Sequence, residues 1–183
     1  RALAARTDNA DVRLALVRAL AGVGATAGAE SAELEQLVRE TAALALARSG
    51  RREAIDLLGK ALRQEGPVAE AAANGLLAHP PADIAPIIES RGAPTLTLVR
   101  LLGELGDQRA FHALRQIVKR ATAEVRAEAA VALTQLGDFE TVALAQHWLG
   151  GGSVPALRAA AARILSMARA PGADKAISAL IAD

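Results

Sequence analysis

Three histidines are the natural candidates for metal ligands in this sequence. A metal site needs several donor side chains that converge on one point, and no histidine is followed by a carboxylate that could complete a pair. The residues involved are His79-Pro80, His112-Ala113 and His147-Trp148. Because cysteine is also absent, we predict no metal site and no metal cofactor.

Covalent catalysis finds equally little support in the residue types. The chain lacks cysteine and tyrosine, and no serine lies in a strand–turn–helix motif that would expose it as a nucleophile. The glycine run 150–152 is not followed by the Gly-Lys-Ser/Thr of a phosphate-binding loop. The carboxylates Glu33, Glu35 and Glu53 are typical of solvated helix faces. We therefore predict that the protein is not an enzyme and has no catalytic residues or cofactor.

A leucine that recurs at one register indicates how the chain is built. The intervals between its occurrences are 26, 30, 26, 31 and 32 residues. Self-similarity at this period indicates stacked units, none of which can bury its apolar face alone. The register leucines are Leu20, Leu46, Leu76, Leu102, Leu133 and Leu165.

Composition favours an all-α fold. Hydrophobic residues make up 52% of the chain but aromatics only 2%, so alanine and leucine, both strong helix formers, supply the apolar content. The net charge of +1 gives no strong attraction to nucleic acid or an anionic membrane. No apolar run approaches the roughly 18–20 residues that span a bilayer.

Trp148 aligns with Ile117 on an apolar helix stripe, which favours a core position over a binding position.

The sequence pattern predicts two helices in each unit, helix A followed by helix B. Three B helices carry a proline at their first turn, Pro67, Pro94 and Pro155, where its missing N–H costs nothing. Glycine ends several B helices, and Asp107 and Asp138 are placed to cap the A helices that follow. The predicted A/B pairs are 51–64 with 67–78, 82–91 with 94–105, 108–121 with 123–136, and 139–149 with 154–169.

The N-terminal third is irregular. Helices predicted at 10–22 and 31–48 both have the B pattern, and only Ala25 to Glu30 separates them. Either one A helix is lost or residues 31–48 serve both roles. We predict one repeat domain over 1–183, with irregular units at 1–50, regular repeats at 51–80, 81–106, 107–137 and 138–172, and a partial repeat at 173–183. Because the chain starts at Arg1 and a further A helix begins near Asp174, we expect an excerpt of a longer protein.

The repeat resembles the HEAT-like repeats named after phycobilisome lyases. The resemblance rests on Val-Arg pairs such as Val125-Arg126 and on Ala-Leu pairs such as Ala132-Leu133, followed by glycine and often aspartate. It covers nearly the whole chain and implies an α-solenoid of about five to six two-helix repeats. The repeated arginines could form an anion ladder, but we favour a structural role in which each guanidinium ties neighbouring loops together. These arginines are Arg13, Arg39, Arg126 and Arg158.

Helical geometry separates a core side of each B helix from an outward side. HEAT-like stacks are expected to line a concave surface with their B helices, and such surfaces bind extended partners. The outward positions combine apolar residues with charges of both signs, as protein-binding surfaces do. The predicted partner-binding residues are Leu14, Arg18, Leu44, Asn74, Leu77, Leu96, Arg100, Val131 and Arg163.

The sequence thus predicts a non-catalytic scaffold that binds another protein or peptide. One alternative is a subunit of an enzyme resembling the phycobilin lyases, although few aromatics are available to stack on a tetrapyrrole. A second is a HEAT-like nucleic-acid-binding protein, for which Arg48, Arg51, Arg52, Lys119 and Arg120 are the only basic clusters; DNA binding would need more phosphate contacts than these. We expect a bacterial source and a cytoplasmic location.

Overall fold

The computed structural model describes residues 29–149, 153–169 and 178. Predictions that concern the helix at 10–22, the final A helix near Asp174, and residues Arg13, Leu14, Arg18 and Leu20 lie outside these ranges. The described part of the chain is helical, as the composition predicts. Its helices are α1 (Ala29–Ser49), α2 (Arg52–Ala61), α3 (Pro67–Ala78), α4 (Ala85–Glu89), α5 (Leu96–Leu105), α6 (Phe111–Arg120), α7 (Ala123–Gln135), α8 (Glu140–Leu149) and α9 (Pro155–Met167).

The chain divides into two compact units, Arg1–Gly92 and Ala93–Asp183. In the first unit, the long helix α1 packs against the B helix α3, and the A helix α2 packs against α1, α3 and α4. Its largest fully buried side chains include Leu58, Leu76 and Ile87. Residues 31–48 therefore belong to one continuous helix, α1. This helix packs beside the B helix α3, as a preceding B helix would.

In the second unit, successive B helices pack on one another, and α7 and α9 also pack on their own A helices. Helix α5 contacts α7, α7 contacts α9, and the A helices α6 and α8 lie against α7 and α9. A cluster of buried side chains joins α7, α8 and α9 and includes Val131, Trp148 and Ile164. The position predicted for Trp148 is confirmed, since this side chain is buried in that core.

The register leucines lie inside these cores where the structure describes them, with one exception. Leu76, Leu102, Leu133 and Leu165 are all buried, whereas Leu46 on α1 is only half-buried. Four consecutive B helices therefore each bury their register leucine within the core of their own unit.

Helix ends largely follow the predicted capping chemistry. Gly106 ends α5 in the left-handed conformation with φ of 67°, which glycine adopts without the steric cost of a Cβ. The carboxylate of Asp107 accepts the backbone N–H of Arg109, and that of Asp138 accepts the N–H of Glu140. Both are the aspartate caps that the sequence predicts.

The predicted start of α5 is wrong by two residues. Pro67 and Pro155 open α3 and α9, but Pro94 lies before α5, which begins at Leu96. Thr95 takes the capping position instead, and its Oγ1 accepts the backbone N–H of Leu98 at 3.2 Å. A threonine cap satisfies a backbone donor that proline could not, so the helix starts after it.

Candidate functional site

Three of the predicted partner-binding residues share one surface in the second unit. Leu96 and Arg100 lie one turn apart on α5, and Arg163 lies on α9; the side chains of all three are exposed. With Glu128 on α7, which joins them, they form what we call the B-helix face. Leu96, at 37% exposure, supplies its apolar part.

Val131 does not belong to this face, and its prediction as a partner-binding residue is corrected here. It is only 1% exposed and packs in the cluster that contains Trp148, Leu157 and Leu165. The cause is close packing between successive B helices, whose axes in such contacts lie about 8–10 Å apart. Residues on the flank of α7 that turns toward α9 are thereby buried, although a single-helix projection places them outward.

The first unit has its own outward positions on B helices. Leu44 on α1 and Asn74 on α3 are exposed, as the sequence predicts, while Leu77 is half-buried. Two further apolar side chains on α1, Leu37 and Val38, are also exposed. The exposed side chains on these helices therefore include apolar residues on α1 and a polar residue on α3.

Glu128 organises the charged part of the B-helix face, and sequence reasoning missed it. Arg100 Nε donates to Glu128 Oε1 at 3.2 Å, and Arg163 Nη1 donates to Glu128 Oε2 at 3.0 Å. The Glu128 side chain is only 13% exposed, whereas those of Arg100 and Arg163 are 58% and 53% exposed. Two guanidinium groups from separate repeats thus meet at one largely buried carboxylate.

Two of the repeated arginines, Arg39 and Arg126, have hydrogen bonds within their own repeats. Arg126 Nη2 donates to the carbonyl oxygen of Ala121 at 3.1 Å, in the loop that precedes its own helix. Arg39 pairs with Glu35 at 2.9 Å, one turn earlier on α1. Of these two arginines, Arg126 contacts a loop, and that loop belongs to its own repeat. Arg158, at the matching position on α9, is half-buried.

The contacts that join repeats in the second unit lie instead among the A helices and loops. Arg115 on α6 holds Asp138 through two hydrogen bonds, Nε to Oδ2 at 3.0 Å and Nη2 to Oδ1 at 3.1 Å. The hydrogen bond to Asp138 raises the pKa of Arg115. Gln108 Nε2 donates to the carbonyl oxygen of Leu136 at 2.9 Å. The Arg115–Asp138 pair links a repeat to the one that follows it, whereas the Gln108–Leu136 bond joins the two ends of a single repeat, 107–137.

An open cleft of about 230 Å³ lies beside the Arg115–Asp138 pair. Its lining includes Lys119 and Glu140 as well as the apolar Leu144, and Glu140 itself pairs with Arg115 at 2.8 Å. Charges of both signs therefore offset each other within the cleft. The Arg115, Asp138 and Glu140 side chains that line the cleft are therefore explained by ion pairing within the protein. The charges of the lining give the cleft no strong attraction for a ligand of either sign.

In the first unit, Arg63 has a comparable structural role. Its guanidinium donates to Ser90 Oγ at 3.0 Å, to the carbonyl oxygen of Ile88 at 3.1 Å and to that of Gly92 at 3.3 Å. Burial lowers the pKa of Arg63. The side chain thereby satisfies carbonyl groups at the end of α4, a short helix whose last carbonyls would otherwise lack partners.

The histidines do not come together. All three are exposed, and within the described residues no group of three histidine, aspartate or glutamate side chains is arranged so that it could hold a metal ion. Among the helices that the structure describes, none is both long enough and apolar enough to cross a membrane.

Comparison with known families agrees with this architecture. A model of HEAT repeats matches residues 95–166, which contain α5 to α9 except for the last residue of α9. A model of the PBS lyase HEAT-like repeat matches residues 38–64, which cover most of α1 and all of α2. No curated protein matches the sequence. The paired helices, the buried register leucines and both family matches show that the chain is a HEAT-like repeat protein with an all-α solenoid fold.

Proposed function

We propose that this protein is a non-catalytic scaffold that binds another protein through the outward side of its B helices. The B-helix face of the second unit carries the proposal. It combines an exposed apolar residue, Leu96, with two arginines whose positions are fixed by Glu128. Mixed apolar and charged surfaces of this kind suit protein partners, and a preformed surface lowers the ordering cost of binding.

The two alternatives receive less support. A tetrapyrrole would call for several exposed aromatic side chains, but of the three aromatic residues in the sequence Trp148 is buried, Phe111 is half-buried and Phe139 alone is exposed. Nucleic acid would call for unpaired cations along a groove, whereas Arg52 already pairs with Asp83 and Glu89, each at 3.5 Å. The other residues of the basic clusters lie at helix ends: Arg48 in the last turn of α1 and Arg51 just before α2, and Lys119 and Arg120 in the last turn of α6.

Site-specific photo-crosslinking tests the proposal. A photoreactive phenylalanine analogue is placed at Leu96, on the B-helix face, and in a matched variant at Phe139, which is exposed at the start of an A helix. Both proteins are irradiated in extract from the source cells. We expect the Leu96 variant to crosslink a defined protein that the Phe139 variant does not.

Crosslinking that is equally strong at both positions, or absent at Leu96, would contradict the proposed binding surface. Far-ultraviolet circular dichroism serves as the control for folding, because both positions are exposed and neither change should reduce helix content. Adding a tetrapyrrole or an oligonucleotide to the same variants tests the alternatives directly, through an absorbance shift or a gel shift at about 150 mM salt.

A further inference from the structure

The B-helix face contains two guanidinium groups that converge on one point. Arg100 reaches Glu128 from α5 and Arg163 reaches it from α9, and each contacts a different carboxylate oxygen. Three successive B helices therefore contribute to a single cluster. The cluster carries two positive charges and one negative charge.

Each arginine retains donors for a further ligand. A guanidinium has five N–H donors in a planar fork, and the contacts of Arg100 and Arg163 with Glu128 each occupy one of them. More than half of each side chain is exposed. The fork geometry matches the two oxygens of a carboxylate, so that charge-assisted hydrogen bonds form in pairs.

The surroundings limit which anion fits. Leu96 lies one turn before Arg100 on the same side of α5, and it is exposed. Glu104 lies one turn after Arg100, and Glu124 one turn before Glu128; both are exposed. These two carboxylates flank the arginines and repel long runs of negative charge, while a single carboxylate between the arginines meets a local excess of positive charge.

We infer that Arg100 and Arg163 together bind one carboxylate of the partner, within a peptide segment that places an apolar side chain beside it on Leu96. The inference rests on the proposed function and names the chemistry of the partner. A nucleic acid is disfavoured because its continuous phosphates would meet Glu104 and Glu124. The specific recognition element is thus an acidic residue next to an apolar one.

Selection from a random peptide library displayed on phage, with the whole chain as the immobilised target, tests this inference. We expect the enriched peptides to contain aspartate or glutamate adjacent to an apolar residue. Changing that acid to its amide in a synthetic peptide should weaken binding at least about 10-fold, since a hydrogen bond to a charged group contributes about 1.5–3 kcal/mol. This change alters only the ligand, so the folding of the protein is not affected.

The protein variant R100Q/R163Q provides the complementary measurement by fluorescence anisotropy. It should weaken binding of the same peptide at least about 10-fold and reduce the dependence of its affinity on salt. The matched control is K119Q/R120Q, which removes the same charge from exposed side chains at the end of an A helix and should leave the affinity unchanged.

The outcomes separate the inference from the proposed function. The inference would be overturned, and the scaffold proposal left standing, if the enriched peptides lacked acidic residues. The same would follow if the peptides crosslinked at Leu96 but bound R100Q/R163Q as tightly as the unchanged protein. An oligonucleotide that binds the protein but not R100Q/R163Q would also overturn it, in favour of nucleic acid. Failure to enrich any peptide, together with no crosslink at Leu96, would count against both.

Discussion

Replacing Gly75 by alanine sets two effects of opposite sign against each other. Gly75 lies in the interior of α3, where it is buried against α1. A Cβ at this position would lie 2.8 Å from the carbonyl carbon of Ala43, 2.8 Å from its oxygen and 3.2 Å from its Cβ. Helix propensity favours the alanine, while packing against Ala43 opposes it.

The cost of packing the new methyl group outweighs the gain in helix propensity. Alanine in place of glycine in a helix interior stabilises by about 1 kcal/mol. Carbon atoms in contact prefer about 3.5–4.0 Å, so α3 would have to move away from α1 by roughly 0.7 Å to accommodate the new methyl group. The obstructing atoms belong to backbone and cannot rotate aside. Overpacking costs about 1–3 kcal/mol, and the contacts with backbone atoms at 2.8 Å place this case in the upper part of that range, about 2–3 kcal/mol. After the gain in helix propensity is subtracted, we expect Gly75→Ala to lower the free energy of unfolding by about 1–2 kcal/mol.

Urea unfolding followed by circular dichroism measures this change, and a thermal scan should show the Tm lowered by about 2–8 °C. The matched control is Asn74→Ala, the adjacent residue on the same helix, whose side chain is exposed. It gains helix propensity without meeting α1, so it should stabilise by about 0.5 kcal/mol. If Gly75→Ala stabilised the protein as much as Asn74→Ala does, the close approach of the two helices would be refuted.

Three further changes have defined outcomes. Trp148→Ala should lower the free energy of unfolding by about 3–5 kcal/mol because it leaves a cavity in the core, whereas a loss below about 1 kcal/mol in urea would contradict its burial. Asp138→Ala removes the paired bonds from Arg115 and a helix cap, so we expect a loss of about 1–3 kcal/mol by the same assay. The Arg109 guanidinium lowers the pKa of Asp107; the stability it provides is therefore present above its unfolded pKa of about 3.9 and is lost as the pH falls. The difference in stability between the unchanged protein and Asp107→Asn should shrink below about pH 4 and stay constant from pH 5 to 7.

The repeats and their helix ends could be predicted from the sequence because both depend on local chemistry. Glycine at the end of a B helix and aspartate at the start of an A helix act within a few residues along the chain, so the caps at Gly106 and Asp107 are correctly placed. Leucine periodicity reports burial directly, and Leu133 and Leu165 are buried accordingly. Where two local signals compete, as at Pro94 and Thr95, the capping hydrogen bond fixes the boundary.

The contacts between repeats could not be predicted in the same way, since they depend on how neighbouring helices approach. Val131 is an outward residue on an isolated helix, and it is buried in the structure because α8 and α9 pack against α7. The pairing of Arg115 with Asp138 spans 23 positions in the sequence, and nothing in either local pattern distinguishes this arginine from others. The repeated arginine Arg126 was the more conspicuous signal, yet its hydrogen bond stays within one repeat.

Glu128 is visible in the sequence as a candidate, but its role in holding two arginines could be recognised only from the three-dimensional spacing of the B helices. A glutamate near the centre of the alanine-rich helix α7 is a conspicuous charge in the sequence. Its two partners are 28 and 35 positions away. Only the side-by-side order of α5, α7 and α9 brings them to one carboxylate.

The two kinds of charged contact in the second unit differ in how much they contribute to the stability of the fold. Asp138 is almost fully buried where it meets Arg115, so this pair stabilises the junction between repeats. Arg100 and Arg163 are more than half exposed, but the Glu128 carboxylate between them is only 13% exposed, so water screens these pairs less than it screens fully exposed pairs, which contribute about 0–1 kcal/mol each. Replacing both by glutamine retains N–H donors near Glu128 and should leave the helices folded. Loss of peptide binding in that variant would therefore report on recognition and not on unfolding, which makes the B-helix face the part of this molecule where function can be separated from stability.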